Sequence, residues 1–589
     1  MAARVRFQII VAVVLATSAS AAPMRGVIEG YYGRPWTGPA RREVIAFLAT
    51  HHMDTFVYSP KNDEFHRARW RDPYPADQLA DLRATAVAAR KAKVRFVYGL
   101  TPALDVCYSC ASDRRALRRK FSQLVRARVR RFALLFDDSP IALSAPSDVA
   151  HYQGAGDVAL ARAQADLVNR TARWLRSRGA VLDLMVPTDY AGVDCHPYHS
   201  ALAAALRGKV PVGWTGPGVF AVQITGAMAH ARAACLPGHP VVLWDNFPVN
   251  DTILSINLHL GPLTGRDADL ATALGWHLLN PMTQAHASLV ALGTAGAYFD
   301  DPAGYDPESA WRATLAELGN GGGLAVLAEQ TRSSALDLVD ARALAAVVDG
   351  VGASYSGADW EAGVDALAAE ETREGAAPGA VAAELGGTPL GDEIAPWVAE
   401  LAAHVAMGTD AVALLRALKP GFAELAAAAT GGMLHASGRV VLPDAAVAAA
   451  SGPDFASAAT AIAARIAAPP VGPLGRCLGN LLGADIAFCT TFGLNVHGKA
   501  LYVIIRTVSS LEIVADRNVH DRLVRFAGTT YAEWAARQPA GTLALTADGA
   551  PVALDSDGRF TLDAPLPRAG TVRLLAATAA GDATARAVP

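Results

Sequence analysis

The sequence predicts an α/β protein: a (β/α)8 TIM-like barrel catalytic domain, then an α-helical region and a small C-terminal β-sandwich. Three observations carry this reading. From Arg25 to about Tyr305, short runs rich in β-branched and aromatic residues alternate with Ala/Arg/Leu helical stretches, the pattern of parallel βαβ units. Eight such runs fall within roughly 280 residues, the size of a barrel of this type. Several of them also end in clustered polar residues, and the C-terminal strand ends are where such barrels carry their active sites.

The chain opens Met1-Ala-Ala-Arg-Val-Arg, continues with an apolar run from Phe7 to Ala16, and reaches small residues around Ala19-Ser-Ala21. A basic start, a short apolar stretch and an A-x-A site read as a secretory signal peptide over residues 1–22. A buried first strand or helix is the alternative, and Met24 could serve as the start. The expected location is secreted or periplasmic. The apolar run is too short for a membrane span and no later run qualifies, so no stable membrane insertion is expected.

The eight candidate strands are Gly26–Tyr32, Thr55–Pro60, Arg95–Leu100, Phe132–Asp138, Val181–Tyr190, Pro211–Gly216, Val241–Asn246 and Gly293–Asp300. A doubly wound open sheet is the runner-up fold. It would more often show a G-x-G-x-x-G turn after its first strand, and Gly30-Tyr-Tyr-Gly33 lacks that spacing. The catalytic domain is placed at 24–310. Residues 311–470 are Ala-rich and read as helices, for example Ala343–Val348 and Trp397–Leu418. Residues 471–540 are mixed and unassigned. Residues 541–589 carry short strand-like runs separated by Asp-Gly and Pro turns, the basis for the small β domain.

The 589 residues carry a formal net charge of −3, which offers no electrostatic case for a nucleic-acid partner. Six cysteines, Cys107, Cys110, Cys195, Cys235, Cys477 and Cys489, suit disulfides in an exported chain, with connectivity left open. Cys107-Tyr-Ser-Cys110 lacks a second ligand pair, so a small structural disulfide is a better reading than zinc. His51-His52 and Cys195-His-Pro-Tyr-His199 assemble no convincing ligand set either, and structural roles are favoured. No metal and no cofactor is expected.

The polar strand ends are Glu29-Gly-Tyr-Tyr32, Pro60-Lys-Asn-Asp63, Asp137-Asp138, Thr188-Asp-Tyr190 and Trp244-Asp-Asn246. Any one could be an ordinary turn or helix cap. Asp137-Asp138 follows the apolar run Phe132-Ala-Leu-Leu-Phe136, and paired carboxylates are what glycosidic cleavage uses. Adjacent residues on a regular strand face opposite ways. Both aspartates reach one site only if the backbone turns, and Ser139-Pro140 supplies a break. Lys61 reads either as a salt-bridge partner for nearby acids or as a donor to substrate. Trp244-Asp-Asn-Phe-Pro-Val-Asn-Asp251 joins an aromatic wall to hydrogen-bonding groups, the mixture a sugar site needs.

Taken together, six segments resemble glycoside hydrolase family 84, the family of O-GlcNAcase and bacterial β-N-acetylglucosaminidases. They are Gly26-Val-Ile-Glu-Gly-Tyr-Tyr-Gly-Arg-Pro-Trp36, Tyr58-Ser-Pro-Lys-Asn-Asp63, Trp70-Arg-Asp-Pro-Tyr74, Phe132–Asp138, Trp214-Thr-Gly-Pro217, and Trp244-Asp-Asn246 through Asn250-Asp251. The resemblance covers roughly residues 24–310. It implies a retaining mechanism in which the substrate's 2-acetamido oxygen is the nucleophile and an oxazoline forms. On that analogy Asp137 orients the acetamido group, while Asp138 is general acid and then general base. Gly30 and Lys61 would bind sugar hydroxyls and Tyr32 would line the pocket. Tyr190 and Asn246 would hold the acetamido group beside Trp244, and Asp251 and Asn280 would take the outer hydroxyls. Asp189 departs from the family pattern, where a Glu often precedes the Tyr.

The implied function is exo-acting release of terminal β-linked GlcNAc, with GlcNAc-containing glycans or glycoproteins as partners. An endo-acting hydrolase of hyaluronan or chitin-like chains is the second reading, and a non-catalytic sugar-binding protein on a hydrolase scaffold is the third. The sequence leaves the oligomeric state and the natural glycoconjugate open.

Overall fold

The computed structural model describes residues 24–418, apart from 252–257, 321, 338–340 and 355–357, together with four short strands between residues 544 and 582. The leader at 1–22, the mixed region at 471–540, and Cys477 and Cys489 lie outside the described residues.

Eight parallel strands close into a barrel in sequence order. They are β1 (Met24–Glu29), β2 (Thr55–Tyr58), β3 (Arg95–Leu100), β4 (Arg131–Leu135), β5 (Val181–Val186), β6 (Val212–Trp214), β7 (Val241–Asp245) and β8 (Trp276–Leu279). Pairing of β1 with β8 completes the circle. The interior is filled by Ile28, Val57, Val97, Ala133, Leu135, Leu184, Val186, Val242, Trp244, Trp276 and Leu278, all buried. Their outward-facing neighbours, among them Val27, Phe56, Phe96, Phe132 and Leu134, join the core between strands and helices. Inward and outward residues thus alternate along each strand, as a pleat requires.

Seven candidate strands correspond to barrel strands, most of them ending a few residues earlier than expected. The eighth is a correction: Gly293–Asp300 lies within a helix, Ser288–Asp300, and the eighth strand is Trp276–Leu279. That helix is buried on nearly every side, from Ser288 to Phe299. An apolar run buried all round carries no polar stripe, so its periodicity does not separate helix from strand. The true strand is only four residues long and contains His277, which hides it among loop sequences.

Helices α1 (Gly38–Thr50), α2 (Ala76–Lys91), α3 (Ala111–Arg126), α4 (Pro146–Tyr152), α5 (Asp157–Arg176), α6 (Pro197–Ala205), α7 (Gly226–Cys235), α8 (Leu270–Ala273) and α9 (Ser288–Asp300) accompany the strands. Beyond them run α10 (Pro307–Leu318), α11 (Gly323–Gln330), α12 (Arg342–Ser354), α13 (Trp360–Leu385) and α14 (Pro389–Leu418). The expected helices at Ala343–Val348 and Trp397–Leu418 lie inside α12 and α14. A second core ties this helical region to the barrel: Trp311, Leu324, Val381, Ile394 and Trp397 cluster with Met282, Ala287 and Val290. Among the described residues no helix is long and apolar enough to cross a membrane.

Near the C-terminus β9 (Ala544–Ala547), β10 (Ala550–Pro551), β11 (Leu574–Thr578) and β12 (Gly581–Asp582) form one antiparallel sheet in the order β10-β9-β11-β12. The second layer of the expected sandwich lies outside the described residues.

Candidate active site

Strand parity decides which strand-end residues enter the barrel mouth. On β4, Ala133 and Leu135 point inward and Phe136 joins the outer core, so Asp137 falls on the inward side. Asp138 would face outward on a regular strand. Its φ of 48° instead puts it in the left-handed region, which non-glycine residues seldom occupy. The break that brings both aspartates to one site is therefore Asp138 itself, one residue before Ser139-Pro140. Ser139 closes the turn by donating its hydroxyl to the Phe136 carbonyl at 2.5 Å.

The same parity carries Gly30 after Ile28, Asn246 after Trp244, and Asn280 after Leu278 into the mouth. There they line a cavity of about 160 Å³. All ten expected site residues meet in it: Gly30, Tyr32, Lys61, Asp137, Asp138, Tyr190, Trp244, Asn246, Asp251 and Asn280. Val186, Thr215, Val219 and Phe220 complete the wall; none of these four was given a site role from the sequence, although Thr215 lies in the quoted segment Trp214–Pro217. Val186 and Thr215 could have been found by counting alternate residues along β5 and β6. Val219 and Phe220 sit on a loop and carry no such signal.

Contacts within the cavity are specific. Lys61 Nζ forms a buried ion pair with Asp137 Oδ2 and lies 5.2 Å from the Trp244 ring centre. Asp137 Oδ1 is buried and has no hydrogen-bond partner among the described residues. Asp138 accepts from two phenols, Tyr32 at 2.8 Å on Oδ2 and Tyr190 at 2.9 Å on Oδ1. Burial, reinforced by the Asp138 carboxylate, pushes both phenols above their ordinary range, so they remain donors.

On the opposite wall, Trp244 Nε1 and Asn280 Nδ2 both donate to Asn246 Oδ1, at 2.9 and 3.0 Å, and Asn246 Nδ2 donates to the Val219 carbonyl at 2.7 Å. Gly30 N donates to Asn280 Oδ1 at 3.1 Å. A Cβ at Gly30 would stand 2.2 Å from Trp244 Cζ2, so the indole requires glycine there. Asp251 accepts from Tyr32 N at 2.7 Å, and burial raises its carboxyl above the usual range.

Other singled-out residues fall outside the cavity. Asp189 bonds His196 Nδ1 at 2.7 Å, and its carbonyl accepts from Arg232. Asp189, His196 and His199 are close enough together to hold a metal ion. However, His199 Nδ1 accepts from His196 N and its Nε2 faces the Asp189 carbonyl at 3.1 Å. Both ring nitrogens are thus engaged in fixing the loop before α6, a structural role. His51 is likewise occupied, stacking on Phe47 and pairing with Glu317. Cys107–Cys110 and Cys195–Cys235 are disulfides; the first is the small structural bridge expected of its C-x-x-C.

Comparison with known proteins agrees with this architecture. The chain is 32% identical over 284 residues to Protein O-GlcNAcase of Rattus norvegicus, and equally to that of Mus musculus. Each alignment covers 46% of this chain and 30% of the relative, so the chain spans about a third of their length. A solved mutant of the Thermobaculum terrenum O-GlcNAc hydrolase shares the fold with a TM-score of 0.66 at 24% identity. That match covers 82% of this chain and 95% of the other. Residues 25–334, more than half of the sequence, match the family described as beta-N-acetylglucosaminidase, and the chain belongs to that family of glycoside hydrolases.

Proposed function

We propose that the protein is an exo-acting, retaining β-N-acetylglucosaminidase that removes terminal β-linked GlcNAc from glycoconjugates by substrate-assisted catalysis. One observation carries the reading: the half-satisfied state of Asp137. Lys61 takes one carboxylate oxygen, while the other is buried and lacks a donor among the described residues, on a residue that lines the cavity. A buried unpaired acceptor is costly, and an amide N–H of the substrate is the donor that would satisfy it.

The chemistry follows from that pairing. With its N–H held by Asp137, the acetamido group presents its carbonyl oxygen to the anomeric carbon. That C–O bond forms as the bond to the leaving oxygen breaks, and Asp138 gives its proton to the leaving oxygen. The positive charge spread over the oxazoline ring is stabilised by Asp137, a preorganised carboxylate. Water then attacks the anomeric carbon, Asp138 recovers a proton from it, and the ring bond returns its electrons to the acetamido oxygen. Two inversions leave the configuration retained. A cavity of about 160 Å³, walled by residues from seven strand ends, supports accommodation of one sugar ring and hence exo action. The leader-like N-terminus and the two disulfides support export to an oxidising compartment.

The test is Asp138→Asn on two aryl or alkyl β-N-acetylglucosaminides that differ in leaving-group basicity. Loss of the proton donor should lower kcat/KM by about 10²–10⁴-fold on the poor leaving group and far less on the activated one. Equal losses on both would sink the reading. Release of oligosaccharides rather than free GlcNAc from a defined glycan would turn it toward endo action.

A further inference from the structure

We infer that Arg67, outside the residues assigned above, is the positioning residue of the acid/base: it holds Asp138 in its turned conformation and fixes one of the two phenols that bind its carboxylate. The inference rests on the proposed role of Asp138.

Asp138 needs holding. It reaches the site only because its backbone adopts φ 48°, a left-handed conformation uncommon outside glycine, though aspartate tolerates it better than most, and one that its surroundings must help impose. Arg67 supplies two of those surroundings. Its Nη2 donates to the Asp138 carbonyl at 3.2 Å, on the residue's own backbone. Its guanidinium also lies over the Tyr32 ring, 5.2 Å from the centre, and Tyr32 in turn donates to Asp138 Oδ2 at 2.8 Å. One side chain thus touches both the backbone of the acid and the partner of its carboxylate.

No carboxylate pairs with Arg67 among the described ion pairs, and its buried Nε has no partner. Its charge is therefore directed at the ring and the Asp138 carbonyl. A planar guanidinium can stack and donate at once, which an ammonium does poorly.

The platform beneath Arg67 is rigid. Asp63 accepts from the hydroxyls of Tyr58 and Tyr74, at 2.7 and 2.5 Å, and from the backbone N–H groups of Phe65 and His66. Buried Lys120 donates to the Phe65 carbonyl at 2.9 Å. His66 is tied to Gly99 and Thr101 across the strand ends. The loop between β2 and α2 therefore delivers two cations to the tandem aspartates, Lys61 to the Asp137 carboxylate and Arg67 to the Asp138 backbone.

The experiment compares Arg67→Met and Arg67→Lys with Asp138→Asn on an alkyl and a dinitrophenyl β-N-acetylglucosaminide, reading kcat/KM and thermal midpoint. Arg67→Met should lose about 10- to 100-fold on the alkyl substrate, the size of effect that misplaced catalytic groups produce. It should lose only about twofold or less on the activated one, with Arg67→Lys between Met and wild type on the alkyl substrate. Equal losses on the two substrates, or none, would overturn the inference while Asp138→Asn keeps its leaving-group dependence. If Asp138→Asn shows no such dependence, the underlying reading has failed and this inference fails with it. A midpoint close to wild type separates misplacement from unfolding. If Arg67→Met does not fold, Arg67→Lys decides on the same criterion.

Discussion

Asp137 and Asp245 each close an apolar barrel strand, and they end in opposite situations. Asp137 lies just past β4 with inward parity, lining the cavity, one oxygen bound by Lys61 and the other buried without a partner among the described residues. Asp245 ends β7 with outward parity and is fully occupied. Arg266 donates from Nε and Nη2 at 2.8 and 2.6 Å, and His277 Nε2 lies 2.9 Å away. Burial pushes the Asp245 carboxyl up, but Arg266 and His277 more than offset it and hold it well below the usual range. Glu29, outward at the end of β1, is likewise held by a buried arginine, Arg41 at 2.6 Å, although there burial outweighs the ion pair and leaves the carboxyl above its usual range. The outward acids fasten the barrel to its surroundings through buried cations, whereas the inward one lines the cavity with only one oxygen engaged among the described residues.

The two aspartates should therefore part in the activity of the folded protein. Asp245→Asn removes the charge opposite a buried guanidinium and should cost about 3–5 kcal/mol of stability, read by urea denaturation, with the surviving folded fraction still active. Asp137→Asn should lower kcat/KM by about 10²–10³-fold, the scale of a lost electrostatic stabiliser, and because it also leaves the buried Lys61 ammonium without its partner it should cost stability as well. Folded Asp137→Asn with wild-type turnover, or folded Asp245→Asn without turnover, would break the comparison.

The acid side of the stability curve sharpens it further. Asp245 has a folded pKa depressed below its unfolded value, so its contribution is full above the unfolded pKa, about 4. It is lost as pH falls through the folded pKa. The stability gap between wild type and Asp245→Asn should therefore stay level from pH 7 to about 5 and narrow below about 4. A gap that is unchanged at the lowest pH where wild type remains folded would mean that packing, not charge, is what the substitution removes.

Much of this was legible in the sequence, and what was not has physical causes. Seven strands stand out because each is a short apolar run stopped by polar or Gly/Pro residues. The eighth was hidden by its length and by His277, while α9 imitated a strand because it is buried on nearly every side. Motif resemblance brought ten of the fourteen cavity residues into view, including Asn280, which follows the very strand that periodicity missed. Parity could have separated Asp137 from Asp245, but it needs strand bounds correct to one residue, and Asp138 breaks parity through its own backbone. Arg67 and Val219 stayed out of sight because a loop imposes no spacing from which their direction could be read.

The smallest expected effect lies at Asp251, where the two behaviours meet in one residue. Its carboxylate lines the cavity, yet one oxygen is already bound by Tyr32 N at 2.7 Å. Burial raises its pKa, with the Tyr32 hydrogen bond opposing. A carboxyl whose folded pKa is raised weakens the fold at pH values above that pKa, and the penalty vanishes below the unfolded value. Asp251→Asn keeps an oxygen for Tyr32 N and sheds the charge. It should gain stability near neutral pH, with the gain fading below about pH 4. If Asp251 holds a sugar hydroxyl as the resemblance implies, the same change weakens a charge-assisted bond, so KM should rise by about tenfold with kcat little altered. Stability gained where binding is lost would mark Asp251 as belonging with Asp137, a group kept under strain for its ligand. A loss of stability would move it to the side of Asp245, among the residues that fasten the barrel.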